Sequence, residues 1–89
     1  HSKEASTYLE FLATLEKKAE LSTLSYAYEV LGRNMARLKD FETAARAYAK
    51  AYELGGAKSH ELMILLQDRL KVTEPYNAKN IEKALKGVL

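Results

Sequence analysis

The chain has 89 residues, 47% apolar and 29% charged, which bounds it to one globular domain or a piece of one. Its 14 basic and 12 acidic residues leave a formal charge of only +2, too even for the basic stripe that nucleic acid demands. With no Cys, disulfides and thiolate metal sites are excluded, and one Pro with four Gly is not the composition of a disordered chain.

Five helices and no strand are predicted. The first spans residues 3–20, where Tyr8, Phe11, Leu12, Leu15 and Ala19 recur at helical spacing opposite Glu10, Glu16, Lys17 and Glu20. The second spans 22–38, with Ser22 as N-cap and a stripe of Tyr28, Leu31, Met35 and Leu38. Lys39-Asp40 makes the turn, and Asp40 caps a third helix that runs to about residue 54. Phe41, Ala44, Ala45, Tyr48, Ala51 and Tyr52 step along it at three and four, and Gly55-Gly56 ends it. Ser59 caps a fourth helix, which carries Glu61 at its positive dipole end and runs to about residue 72. Pro75 breaks the chain there, because it lacks an amide and its ring clashes with the preceding turn. Asn77 caps a fifth helix, in which Ile81, Ala84, Leu85 and Val88 share a face. All the connections are short, which sets neighbouring helices antiparallel.

The spacing of Tyr28, Leu31, Gly32 and Met35 on one helix and Ala44, Tyr48 and Ala51 on the next resembles the tetratricopeptide repeat. A mid-helix Gly costs roughly 1 kcal/mol against Ala. Gly32 is therefore tolerable only if a bulky ring fills the space beside it, and Tyr48 is the natural filler. Advancing by the family's period of about 34 residues carries Ser25, Tyr28 and Leu31 onto Ser59, Leu62 and Leu65. Met35, however, lands on Arg69, and Gly32 on Leu66. An offset of 37 residues places Ile81, Leu85 and Val88 under Ala44, Tyr48 and Ala51. The second unit, 59–89, is thus a degenerate copy of the repeat in 22–56, and the helix over 3–20 matches neither half. Pentatricopeptide-like arrays share the hairpin but read RNA, and this chain has neither their tandem copies nor their basic bias.

The resemblance implies an all-α domain over residues 1–89, its antiparallel hairpins stacked as a short right-handed solenoid. It also implies a concave groove, lined by the first helix of each pair, that holds a peptide or partner helix. The groove-side residues are then Tyr26, Glu29, Arg33 and Arg37 on the second helix and His60, Met63, Gln67 and Lys71 on the fourth. Tyr26 and Met63 would supply adaptable apolar contact. Arg33, Arg37 and Lys71 would pair with carboxylates or peptide oxygens. Each has a plainer reading as well. Glu29 and Arg33 stand in the favourable i,i+4 order of a surface pair, Arg37 and Lys71 complement helix C-termini, and His60 reads as a surface residue.

No phosphate-cradling Gly loop is present, and two His without Cys make no zinc site. The expected function is non-catalytic scaffolding of another protein or peptide, without cofactor, nucleic acid or membrane. The longest apolar run, 62–66, is far below the ~20 residues that cross a bilayer. The run His1-Ser2-Lys3-Glu4 has no signal-peptide core, which points to the cytoplasm. The alternative is self-association through helices four and five. The run 62–66 is either covered from both sides by helices two and five or meets another chain. The apolar finish Val88-Leu89 reads as a piece of a longer array or as half of a homodimer.

Overall fold

The computed structural model describes residues 2–15, 20–55, 60–73 and 75–88. They form five helices: α1 Ser2–Leu15, α2 Leu21–Arg37, α3 Phe41–Gly55, α4 His60–Ile64 and α5 Ala78–Val88. A π-helical turn, Leu65–Arg69, continues α4. Among the described residues there is no strand, and no helix is long and apolar enough to cross a membrane.

The pair α2 and α3 is the best-packed unit. The buried residues of α2 include Leu24, Tyr28, Gly32 and Ala36, which repeat every fourth position and so lie in one stripe. α3 buries Ala44, Ala45, Ala47, Tyr48 and Ala51, and its alanines are small enough to let a neighbouring backbone close in. A Cβ placed on Gly32 would stand 2.9 Å from Cδ1 of Tyr48 and 3.0 Å from its Cγ, so the ring occupies the space the glycine leaves. A buried hydrogen bond also ties the pair: the Ser25 hydroxyl donates to the Ala51 carbonyl at 2.7 Å. Leu38, expected in the stripe, is exposed, because the four-residue phase of α2 leaves it on the far side.

The helix ends show which caps operate. α2 starts at Leu21 with extended Glu20 as N-cap, so Ser22 lies inside the first turn and is not the cap. α2 ends in a Schellman motif: Asp40 N–H donates to the Met35 carbonyl at 2.9 Å and Lys39 N–H to Ala36 at 3.0 Å. Lys39 takes the left-handed conformation this requires, with φ 63°. Asp40 caps α3 as expected. Its carboxylate accepts from the Thr43 N–H at 3.3 Å and from the Thr43 hydroxyl at 2.9 Å. Asn77 likewise caps α5, accepting from the Asn80 N–H at 3.0 Å. Ser59 and Gly56 lie outside the described residues.

Two elements depart from expectation. In α1 the inward phase is Ala5, Leu9 and Leu12, while Tyr8 and Phe11 are 56% and 58% exposed. Apolar residues at 8, 9, 11 and 12 satisfy either phase, and contact with α2 and α3 selects the one that brings in the small Ala5. The part of the expected first helix over 16–19, with Ala19, lies outside the described residues. The fourth helix is α-helical only to Ile64, not to 72. Leu70 N–H then reaches back five residues to the Leu65 carbonyl at 2.8 Å, and Val72 N–H reaches the Leu66 carbonyl at 2.7 Å. Lys71 turns the chain with φ 55°. Leu62, Leu66 and Leu70 keep the four-residue spacing of one buried stripe, and Val72, after the turn, is buried as well.

α5 buries Ile81 and Leu85 and leaves Val88 outside. It packs along α3. The side-by-side pairing of helices four and five expected for a second hairpin is not its main contact. Tyr52 of α3 and Tyr76, just before α5, meet edge to face with ring centroids 4.4 Å apart. The Leu62 and Leu66 side chains enter the same apolar cluster as Tyr48, Ile81 and Leu85. Of the run 62–66, then, Leu62 and Leu66 are core, Met63 and Leu65 are half-buried, and Ile64 is exposed.

Candidate functional site

Between α2, α3 and α4 lies a cleft of about 340 Å³. Its floor carries Tyr48 from α3 and Glu29 from α2, which are 2% and 4% exposed. A carboxylate this deep is costly unless its charge is met. Arg33, one turn along α2, stands at 3.4 Å from the Glu29 carboxylate and at 3.2 Å from that of Glu61 on α4. One guanidinium thus joins a buried acid to an exposed one and spans the two helices at the mouth of the cleft. The opposite wall is apolar, made by Ile64 and Leu65, and Arg69 closes its far end.

The expected surface pair of Glu29 and Arg33 is therefore half-buried and part of a concave site. Because Arg33 also answers a buried charge, its removal costs stability as well as contact. Burial pushes the Tyr48 hydroxyl above its ordinary pKa of 10.0. The Arg33 guanidinium draws it back, the Glu29 carboxylate raises it, and Arg37 lowers it. The unfolded chain then releases this proton first as the pH passes 10, so the stabilisation is complete below that pH and declines above it. Denaturant titrations on both sides of pH 10 should show a smaller alkaline loss for Tyr48→Phe than for the parent. Parallel profiles would mean that the hydroxyl is not held in this environment.

Of the eight residues expected to line a groove, Glu29 and Arg33 do so together. Tyr26 is 63% exposed on α2, and Arg37 is exposed at the end of that helix. His60 is exposed at the start of α4, and Met63 is half-buried. Gln67 and Lys71 line a different hollow of about 470 Å³ beside Tyr76, where the Gln67 amide donates to the Tyr76 hydroxyl at 2.9 Å. The lining that the expected groove missed is Tyr48, Glu61, Leu62, Ile64, Leu65 and Arg69. One signal was visible: Arg69 falls where the repeat pattern calls for a core Met.

The cleft joins an apolar wall to two guanidinium groups and a buried carboxylate. It can hold an apolar side chain while the charged groups bind backbone or terminal oxygens and amines. Among the described residues, no three His, Asp or Glu side chains converge to hold a metal ion. No family model matches the chain, and no characterised protein or solved structure matches it.

Proposed function

We propose that the chain is a non-catalytic interaction module, a tetratricopeptide-like scaffold that receives a peptide or partner helix in the cleft between α2 and α4. The observation that carries this reading is the bridge from Glu29 through Arg33 to Glu61 above Tyr48. A fold seeking stability alone would fill such a place with apolar side chains. Placing a charged group there, with open space above it and an apolar wall beside it, suits recognition. The ring of Tyr48 against Gly32 supports the repeat-like pairing of α2 and α3. The near-even charge favours a protein partner over nucleic acid, and the cytoplasm is the setting proposed.

Self-association through helices four and five has weaker support. Among the described residues of those helices, Ile64 and Val88 are the exposed large apolar side chains.

Peptides selected from a random display library on the immobilised chain provide the test. In a titration they should move the amide resonances of Arg33, Glu61 and Ile64. Arg69→Ala, an exposed site, should weaken binding about tenfold without lowering the melting temperature. Selected peptides that leave those resonances in place, or that bind the Arg69→Ala chain equally well, would remove the cleft from consideration.

A further inference from the structure

Two acidic and two basic side chains line the α2–α4 cleft, and they are unevenly matched. Arg33 meets both carboxylates, Glu29 at 3.4 Å and Glu61 at 3.2 Å. Two carboxylates on one guanidinium leave a net negative charge at that end of the cleft. Arg69 lines the same cleft and forms no ion pair among the described residues. The repeat offset pairs it with Met35, which packs against the core of the first hairpin. Arg69 is exposed instead, so its charge is left for a group outside the fold.

We infer that the cleft selects a segment bearing an acidic side chain about one helical turn from a large apolar one, with Arg69 setting that specificity. The inference rests on the reading of this cleft as the binding site and names the chemistry of its occupant. Ile64 and Leu65 form the apolar wall, and Arg69 stands four positions beyond Leu65. A ligand helix presents side chains at that same spacing on one face, so an apolar residue and an acid reach the wall and the guanidinium together. Charge decides between an acid and a base. A basic group would have to share carboxylates that Arg33 already holds. An acid meets in Arg69 an unpaired fork of donors suited to a carboxylate. Net negative charge around Arg33 repels the acid from the other end of the cleft, which confines it to Arg69.

Three synthetic peptide libraries test this on the full chain. Their members are N-acetylated and C-amidated, so no terminal charge contributes. Each library fixes a Leu and, one turn away, a Glu, a Gln or a Lys, with neutral residues elsewhere. The tightest Glu peptide should move the amide resonances of Arg33, Glu61 and Ile64. It should bind about tenfold more tightly than its Gln and Lys counterparts, and high salt should narrow the difference. On the Arg69→Ala chain the Glu and Gln peptides should bind alike, and on Arg69→Glu the Lys peptide should bind best. Both variants should keep the parent's melting temperature, because Arg69 is exposed. Peptides that move those resonances but bind equally with Glu and Gln would overturn the acid preference and leave the cleft as the binding site. A Glu preference that survives Arg69→Ala would overturn the role of Arg69. If no member of any library moves those resonances, the reading of the cleft falls and this inference falls with it.

Discussion

Tyr48→Ala should lower the free energy of unfolding by about 3–5 kcal/mol, the range for removing a buried aromatic ring. The ring is 2% exposed, packs against the Gly32 backbone and floors the cleft. Neither neighbour can close the void. The glycine has no side chain to extend, and the α3 positions around Tyr48 are mostly alanine. A chain of this length holds roughly 4–13 kcal/mol in total, so the variant should melt some 15–30 °C lower. A melt followed by far-UV circular dichroism reads this directly. A loss under about 1 kcal/mol would be the behaviour of a surface tyrosine and would contradict the packing described above.

Leu66→Ala should cost about 2–5 kcal/mol. Leu66 is wholly buried, although it sits in the π turn that follows α4. Its neighbours in sequence are controls. Gln67 is exposed, and Ala there removes its hydrogen bond to the Tyr76 hydroxyl, so the change should cost under about 1.5 kcal/mol. Chemical denaturation with an unchanged slope separates lost stability from a loosened native state. If Leu66→Ala and Gln67→Ala cost the same, the phase of this segment is not the one seen. The π turn also aims Arg69 at the cleft, so that result would displace the wall of the proposed site.

Both positions show how far the residues alone could lead. The number and order of helices follow from periodicity and breakers. Asp40 and Asn77 cap as their side-chain chemistry dictates, and Gly32 meets Tyr48 because a mid-helix glycine needs a filler. Those features are local, or pair one odd residue with one partner. What was not legible depends on tertiary choice. Residues 8, 9, 11 and 12 of α1 offer two apolar phases, and only the neighbouring helices select Ala5 and Leu9 over Tyr8 and Phe11. On the fourth helix several phases are open to an apolar run, and packing against α3 selects one in which Glu61, Ile64, Leu65 and Arg69 face the cleft in place of His60, Met63, Gln67 and Lys71. Glu29 and Arg33 were found because α2 is regular. Tyr48 was recognised as core, and its second position, on the floor of a cleft, emerges only when α4 is in place.

The contact that sets α2 against α3 can be measured by changing both of its members. Gly32→Ala gains roughly 1 kcal/mol of helix propensity but places a Cβ 2.9 Å from the Tyr48 ring. Overpacking of about 1–3 kcal/mol should win, leaving a net loss of about 1 kcal/mol. In a Tyr48→Leu background the ring is absent, and the same Gly32→Ala change should become stabilising. Reversal of sign between the two backgrounds, read from urea midpoints, is the expected result. An equal effect of Gly32→Ala in both backgrounds would show that the glycine and the tyrosine do not touch, and the helix pairing beneath the cleft would fall with it.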